Sequence, residues 1–447
     1  MLASCPLERN LKPLWIGTAL LLAVIVAIST YSSRPSLPES YRYPFNSNGQ
    51  TSDAFERELA FYQERIRRNP GDGMDLAALA GVYLRKARVS GWSGWYLLAE
   101  QSAQRSLANL PFANNGAWLI LAEIASARHD FAGALQIADQ VLKQRNDEGA
   151  HSLKSTVFLA QGKLEQARQE IEPLIQNLPS LRNLSQRALI YLAQSKEALA
   201  LEDFRRALSL EEPGDPYGSA WVRTLLGRYY AQHGQQALAA GLFAEALRIS
   251  PQFPLALQML GELETRTGDY RAAEGHFNQI LFRFRDSATL YDHAAFRGLA
   301  RIYKLKGDGA QAERFWVDSE KTLRRDVNSG AFGHQRELAQ LLLERGHAVD
   351  FPEALKLAQS ELKNRRDAET LSVLAWALLE NGRARQAEKT IGEALGYGVK
   401  DAVLYYRAGQ IQAALGKTEA AQAFYKQAMV IDPKLDKRAR TMLGLGE

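Results

Sequence analysis

The sequence predicts an all-α chain, a solenoid of stacked helical hairpins carried behind one N-terminal transmembrane helix. Three observations predict it. From Phe55 onward apolar residues recur at helical spacing with almost no alternating stretch, the pattern of helices that each bury one face. The pattern also repeats: Leu226-Gly227-x-x-Tyr230 and Ala239-x-x-x-Phe243 return 34 residues later as Leu260-Gly261 and Ala273-x-x-x-Phe277. Finally, Leu14–Tyr31 runs eighteen residues without a charge, close to the ~20 apolar residues that cross a bilayer core as a helix.

Residues 1–13 form a short leading segment and 14–31 the membrane span. A cleaved secretory signal has a shorter apolar region, about 7–15 residues, ending at a small-x-small site. Ser29, Ser32 and Ser33 make a poor version of that site, so the span is expected to stay as an anchor. Leu2-Ala3-Ser4-Cys5 looks like a lipidation box, but no apolar region precedes it. Arg9 and Lys12 before the span tie with Arg34 and Arg42 after it. The brief leader and free amino terminus favour N-in, a single pass through the inner (plasma) membrane with the solenoid in the periplasm.

Residues 32–52, rich in Ser, Pro, Asn and Gly and without periodicity, are expected to be a flexible linker. A leading helix follows over 53–72. Residues 73–435 hold about ten copies of the repeat. A second tandem pair, Leu374-Ala375, Gly382 and Ala387-x-x-x-Ile391, returns by the same 34 residues as Ala408-Gly409, Gly416 and Ala421-x-x-x-Tyr425. Weaker copies lie between, marked by Trp118 with Ala134-x-x-x-Ala138, Gly162 with Ala167-x-x-x-Ile171, Tyr191 with Ala200-x-x-x-Phe204, and Tyr303 with Ala312-x-x-x-Trp316. The copy at Leu79-Ala80-x-x-Tyr83 is expected to carry an insertion between its helices that lengthens its turn, and the copy at Leu338-Ala339 about three extra residues. Residues 436–447, DKRARTMLGLGE, are short and polar enough to cap the array, which argues against end-to-end self-assembly.

The residue choices have a physical reason. Small residues at positions such as Gly227, Gly261 and Ala273 let two antiparallel helices approach, and Tyr230, Phe243 and Phe277 fill the space between hairpins. Gly268, Gly307, Gly382 and Gly416 fall where the first helix stops and a left-handed residue is needed. One hairpin cannot bury its own apolar face, so the copies must stack and leave an extended concave groove.

With its Leu-Gly-x-x-Tyr, Ala-x-x-x-Phe and terminal Pro251 and Pro433, the array resembles the tetratricopeptide repeat family. The resemblance implies a protein-binding scaffold whose first helices line the groove. In the copies starting at 220, 254, 293 and 332 it places Arg228, Arg266, Arg297, Arg301, Lys304 and Arg336 on the inner surface, opposed by Glu262 and Glu344. Such a stripe would bind an acidic peptide or chain terminus. The family's carboxylate clamp also uses asparagines that find no match here. A second contact candidate is Arg85–Gln101, which brings Trp92, Trp95 and Tyr96 beside the turn of the first copy, as partner anchors or as a lid on that hairpin.

No catalytic or cofactor motif rises from the sequence, so the chain is expected to be non-enzymatic. Gly416-Lys417-Thr418 lacks the first glycine of a phosphate loop, since position 411 is Ile, and Gly91-Trp92-Ser93-Gly94-Trp95 lacks the last glycine of a nucleophile elbow. His129, His151, His233, His276, His293, His334 and His347 never pair at i, i+3 or i+4, so no metal site is expected. The single Cys5 excludes an intramolecular disulfide. The net charge of +5 is dispersed along the chain, so nucleic acid is not an expected partner. The expectation is a membrane-anchored scaffold or assembly factor of the cell envelope. The alternative is a subunit of an enzyme complex, or an enzyme with a groove site near His276 and His293. Partner identity and oligomeric state are not legible.

Overall fold

The computed structural model describes residues 40–43, 50–282, 289–329 and 333–446. The expected span Leu14–Tyr31 lies outside them, and among the described residues no helix is long and apolar enough to cross a membrane. Residues Tyr41–Glu447 form one compact unit.

α1 (Gln50–Arg68) leads the array, and ten antiparallel hairpins follow. They are α2 (Gly73–Ser90) with α3 (Ser93–Asn109), α4 (Asn115–Ala127) with α5 (Phe131–Gln144), α6 (Glu148–Ala160) with α7 (Leu164–Asn177), α8 (Leu181–Ala193) with α9 (Glu197–Ser209), and α10 (Pro216–Gln232) with α11 (Gln236–Ile249). Then come α12 (Pro254–Thr267) with α13 (Tyr270–Phe282), α14 (Asp292–Leu305) with α15 (Gly309–Ser329), α16 (Gln335–Arg345) with α17 (Phe351–Glu361), α18 (Ala368–Glu380) with α19 (Ala384–Gly396), and α20 (Ala402–Ala414) with α21 (Thr418–Ile431). The short α22 (Lys437–Met442) ends the array.

Each hairpin is held as the repeat positions anticipate. A Cβ added at Gly227 would meet the Phe243 ring at 2.6 Å, and one at Gly261 would meet Phe277 at 2.9 Å, so the absent side chain is where the partner helix puts its aromatic. Ala239, Ala273, Ala387 and Ala421 are buried at the same interface. Asp130, Asp147, Asp215, Asp367 and Asp401 cap the helices that follow them through side-chain bonds to backbone N–H groups.

Two local features differ from the sequence reading, and a third shows what expected extra residues become. The expected insertion in the first copy is not a long turn; it lengthens both helices, to 18 and 17 residues, and leaves a tight turn at Gly91. The extra residues of the eighth copy make a single 3-10 turn, Ala348–Asp350, between α16 and α17. Tyr41–Tyr43, inside the segment expected to be a flexible linker, is docked on the array. Tyr41 N–H donates to Glu245 at 2.6 Å, the Tyr43 hydroxyl donates to the Glu211 carbonyl at 3.0 Å, and the Tyr41 ring lies 5.7 Å from the guanidinium of the buried pair Arg223–Glu211.

The curvature of the stack is tight enough to bring later hairpins back onto earlier ones. Ser195 meets Gly398 and Glu197 meets Lys400, each pair 203 residues apart, about six repeat periods. Leu290 N–H donates to the Gly91 carbonyl, and Arg266 pairs with Asp432. The first six hairpins thus form one revolution, and the remainder begins a second that rests on the turns of the first.

Candidate functional site

The first helices of the hairpins face the interior of this coil, and its two halves are built differently. In the C-terminal half the interior is filled. Arg297 and Arg301 on α14 converge on Glu344 of α16: Arg297 Nε donates to Oε2 at 2.7 Å and Arg301 Nε to Oε1 at 2.5 Å. Glu344 is 2% exposed, and burial alone would raise its carboxyl; the two guanidinium groups outweigh that and hold it below the ordinary range. Glu262 lies 3.7 Å from Arg301, and Lys304 donates to the Glu344 carbonyl at 3.4 Å.

Arg336, half-buried, contacts Glu369 at 3.1 Å and Glu337 at 3.0 Å, while Arg266 holds Asp432 at 2.5 Å and the Ala231 carbonyl at 3.2 Å. Arg228 and Lys304 are the exposed members of the six groove cations, and the charge of Arg228 is felt by Glu369 and Asp401 of the later hairpins. Five of the six cations of the expected stripe already meet oxygen acceptors of the same chain. An acidic ligand would have to compete with Glu344, Glu369 and Asp432. The resemblance places Glu344 opposite the stripe, but Glu369 and Asp432 arrive from hairpins beyond the four copies from which the stripe is read.

The tail closes what remains. α22 packs against α12 and α14, Gln410 donates to the Leu445 carbonyl at 2.9 Å, and Gly444 passes so near Trp376 that an added Cβ would lie 2.7 Å from its ring. Arg407 stacks on the other side of this cluster, its guanidinium 3.4 Å from the Trp376 ring centroid.

The N-terminal half forms a partly open cavity of about 940 Å³. Its walls come from α1, α2, α4, α6, α8 and α10, with Val89, Leu153, Leu189 and Trp221 supplying apolar surface and Ser126, Thr156 and Gln186 neutral polar groups. Its charges are largely matched: Arg85 pairs with Glu58 and Arg88 with Glu123, leaving the exposed Arg182 on the wall. Tyr217 closes one side by donating its hydroxyl to the Arg88 carbonyl at 2.8 Å. Gln186 is fixed by bonds to the Ser152 carbonyl and the Thr156 hydroxyl, both 2.9 Å. A chamber of this size, apolar with a few oriented polar groups, is the form of surface that binds a peptide segment. Sequence reading missed it because the groove register was applied to the copies from 220 onward; carried back to α4, α6 and α8 it would have pointed there.

Trp92, Trp95 and Tyr96 turn towards their own hairpin. Trp95 stacks on Tyr83 at 5.5 Å, Trp92 meets Trp95 edge-on at 4.7 Å, and Tyr96 is buried. Trp92 also bridges to Thr289, so this cluster joins the two revolutions.

The histidines have partners that spacing could not reveal. His151 contacts Glu170, His233 contacts Glu197, and His276 contacts Glu264, each at a helix surface. His293 is half-buried, its ring 4.9 Å from that of His334, while His276 meets Glu264. His129, 236 residues away in sequence, reaches Arg365. Burial, followed by the nearby Arg365 for His129 and His334 for His293, pushes both imidazoles down to about 3. Among the described residues no group of three or more His, Cys, Asp or Glu side chains could hold a metal ion.

Residues 402–435, which are α20, α21 and the turn after them, match the family described as tetratricopeptide repeat. Over 107 residues the chain is 32% identical to the photosystem I assembly protein Ycf3 of Cyanophora paradoxa, covering 22% of this chain and 61% of that protein. The chain thus spans less than two thirds of that relative. Among solved structures, a tetratricopeptide repeat protein from Parabacteroides merdae is 18% identical with a TM-score of 0.35, covering 63% of this chain and 98% of its own. The TPR domain of P58(IPK) is 13% identical with a TM-score of 0.29, covering 88% and 95%.

Proposed function

We propose that this tetratricopeptide-repeat chain is a protein-binding scaffold that holds a segment of a partner protein in the N-terminal chamber. The observation that carries the reading is the contrast within one coil: the C-terminal interior is filled by its own ion pairs and tail, and the chamber of about 940 Å³ is lined but not filled. A partner segment with an apolar face would cover Val89, Leu189 and Trp221, and an acidic group on it would meet Arg182. The action is binding, with no bond made or broken. The assembly role in the name of the Ycf3 relative supports reading the scaffold as an assembly factor.

In the same proposal Leu14–Tyr31 anchors the chain in the inner membrane, N-in, and the array acts in the periplasm in a cell-envelope assembly process. A C-terminal reporter active only in the cytoplasm would overturn that placement.

The binding surface is tested with a photocrosslinking residue placed at Leu189, at Trp221 and, as an exterior control, at Glu202 in the full chain in native membranes. One adduct common to the two interior positions, absent from the control and lost at least 10-fold on Arg182→Glu, is expected. Adducts from the exterior alone would move the contact surface off the chamber.

A further inference from the structure

The ten hairpin turns are not equivalent. Each places one residue in the left-handed region, where a side chain is strained, and eight of the ten use glycine. The other two are His129 at φ 61° and Ser195 at φ 62°. Both side chains reach across to the second revolution. Ser195 Oγ donates to the Gly398 carbonyl at 2.5 Å. His129 Nε2 lies 2.9 Å from Arg365 Nη2; arginine can only donate, so Nε2 is the acceptor and Nδ1 carries the hydrogen. That Nδ1 points to Glu361 Oε1, 3.7 Å away, too far for a hydrogen bond.

Two glycine turns of the same revolution, one between these positions and one after them, use their missing side chains for the same contact. At Gly162 a Cβ would clash with the Arg366 carbonyl, and at Gly234 it would lie 2.9 Å from Asp432. The turns of the last four hairpins differ: at Gly307, Gly346, Gly382 and Gly416 an added Cβ would meet nothing within 4 Å. Side chains at strained positions therefore occur where a second revolution lies over the turn. The seam they make is incompletely bonded. His129 Nδ1, both oxygens of the buried Glu361 and Nε of Arg365 have no hydrogen-bond partner among the described residues.

We propose that this seam is a latch: His129 and Ser195 hold the first revolution closed against the second, and opening along it gives a partner segment lateral access to the interior. Opening is a property of the coil alone; admission of a partner rests on the scaffold reading. The polar groups that lack hydrogen-bond partners gain water when the seam parts, while each hairpin keeps the contacts within itself and with its neighbours in the array.

The test is a removable lock. A Cβ on Gly398 would lie 3.6 Å from that of Ser195, inside the disulfide range of about 3.5–4.5 Å. In a Cys5→Ser background, Ser195→Cys with Gly398→Cys can be oxidised and reduced in the same preparation, and the reduced form, which carries a side chain at the left-handed position 398 (φ 75°), is the reference for the oxidised one. Hydrogen exchange is read at residues 162–164 and 365–367, seam contacts that the substitutions leave intact. Oxidation should slow exchange there at least 10-fold and reduction restore it, while His129→Gly with Ser195→Gly should speed it about 10-fold without change in the helix interiors. Equal exchange in all of these would overturn the latch. The Leu189 crosslink gives the second readout: a yield at least 5-fold lower in the oxidised form is expected. An unchanged yield would overturn gating and leave the scaffold reading standing, whereas absence of any adduct in wild type would overturn the scaffold reading and leave the exchange result to decide the latch.

Discussion

The chamber formed by the first five hairpins and the interior formed by the last five share one backbone plan and differ in what their inner helices carry. α14 and α16 put arginine and glutamate where they converge, so that interior is occupied by Arg297, Arg301 and Glu344 and then by the tail at Gly444. α6 and α8 put Ser152, Thr156, Gln186 and Leu189 at the wall, whose polar groups bond to each other and leave the space inside open. A repeat backbone supplies a lined interior in either case. The side chains on the first helices decide whether it is structural filling or a place for a partner.

The largest effect that can break this comparison is at Glu344. Replacing it with Gln leaves two buried guanidinium groups without their carboxylate, and a loss of about 3–5 kcal/mol in urea unfolding is expected. Glu123→Gln, which releases the part-exposed Arg88 at the chamber wall, should cost under about 1 kcal/mol. Similar losses at the two sites would mean that the chamber is as much a packed core as the C-terminal interior. For the same reason Arg297→Glu with Arg301→Glu should lower stability by several kcal/mol, so loss of a partner in that variant is to be read only beside its melting curve.

An intermediate effect is expected from pH at the seam. Burial pushes the Glu361 carboxyl up to about 7, from an ordinary 4.5, and His129 down to about 3, from an ordinary 6.5. The groups facing His129 are Arg365 and Glu361 from the end of α17 and His334, Arg336 and Glu337 from the start of α16. A raised carboxyl keeps its proton in the closed form, so its contribution is complete below 4.5 and is lost as pH rises towards 7. A lowered imidazole works the other way: its contribution is complete above 6.5 and is lost as pH falls towards 3. Between 4.5 and 6.5 both forms hold about one proton, on Glu361 when closed and on His129 when open, and the terms offset. Seam exchange in wild type should therefore be flat with pH until about 4.5 and accelerate below it. Glu361→Gln removes the offset and should move the onset to about 6.5; an unmoved onset would separate His129 from the seam.

The smallest effect is at Ser195→Gly. Losing one hydrogen bond of about 1 kcal/mol is nearly balanced by relief of a left-handed serine, so global stability should change by under about 0.5 kcal/mol. A loss above 2 kcal/mol in thermal melting would show that the seam is part of the core.

The hairpins were legible because their causes are local. Gly227 with Phe243 and Gly261 with Phe277 lie sixteen residues apart in the chain and touch in the fold, so the 34-residue pattern carries the contact in itself. The ten copies, their glycine turns and the tight small-residue faces follow from it. The first copy was misread as having a long turn because extra residues within one period can lengthen either the turn or the helices, and a spacing count does not distinguish them.

The sequence by itself thus determined the repeated hairpin, its period and the set of residues that face inward. Tertiary structure alone decided which of those residues meet. A small rotation per hairpin, accumulated over about six of them, returns the chain onto itself, and that sum is written at no single position. It brings Glu344 to Arg297, Asp432 to Arg266, and His129 to Arg365 across 236 residues. It also leaves the chamber between α2 and α10 unfilled, because there the returning tail does not reach and the wall's polar groups bond to one another.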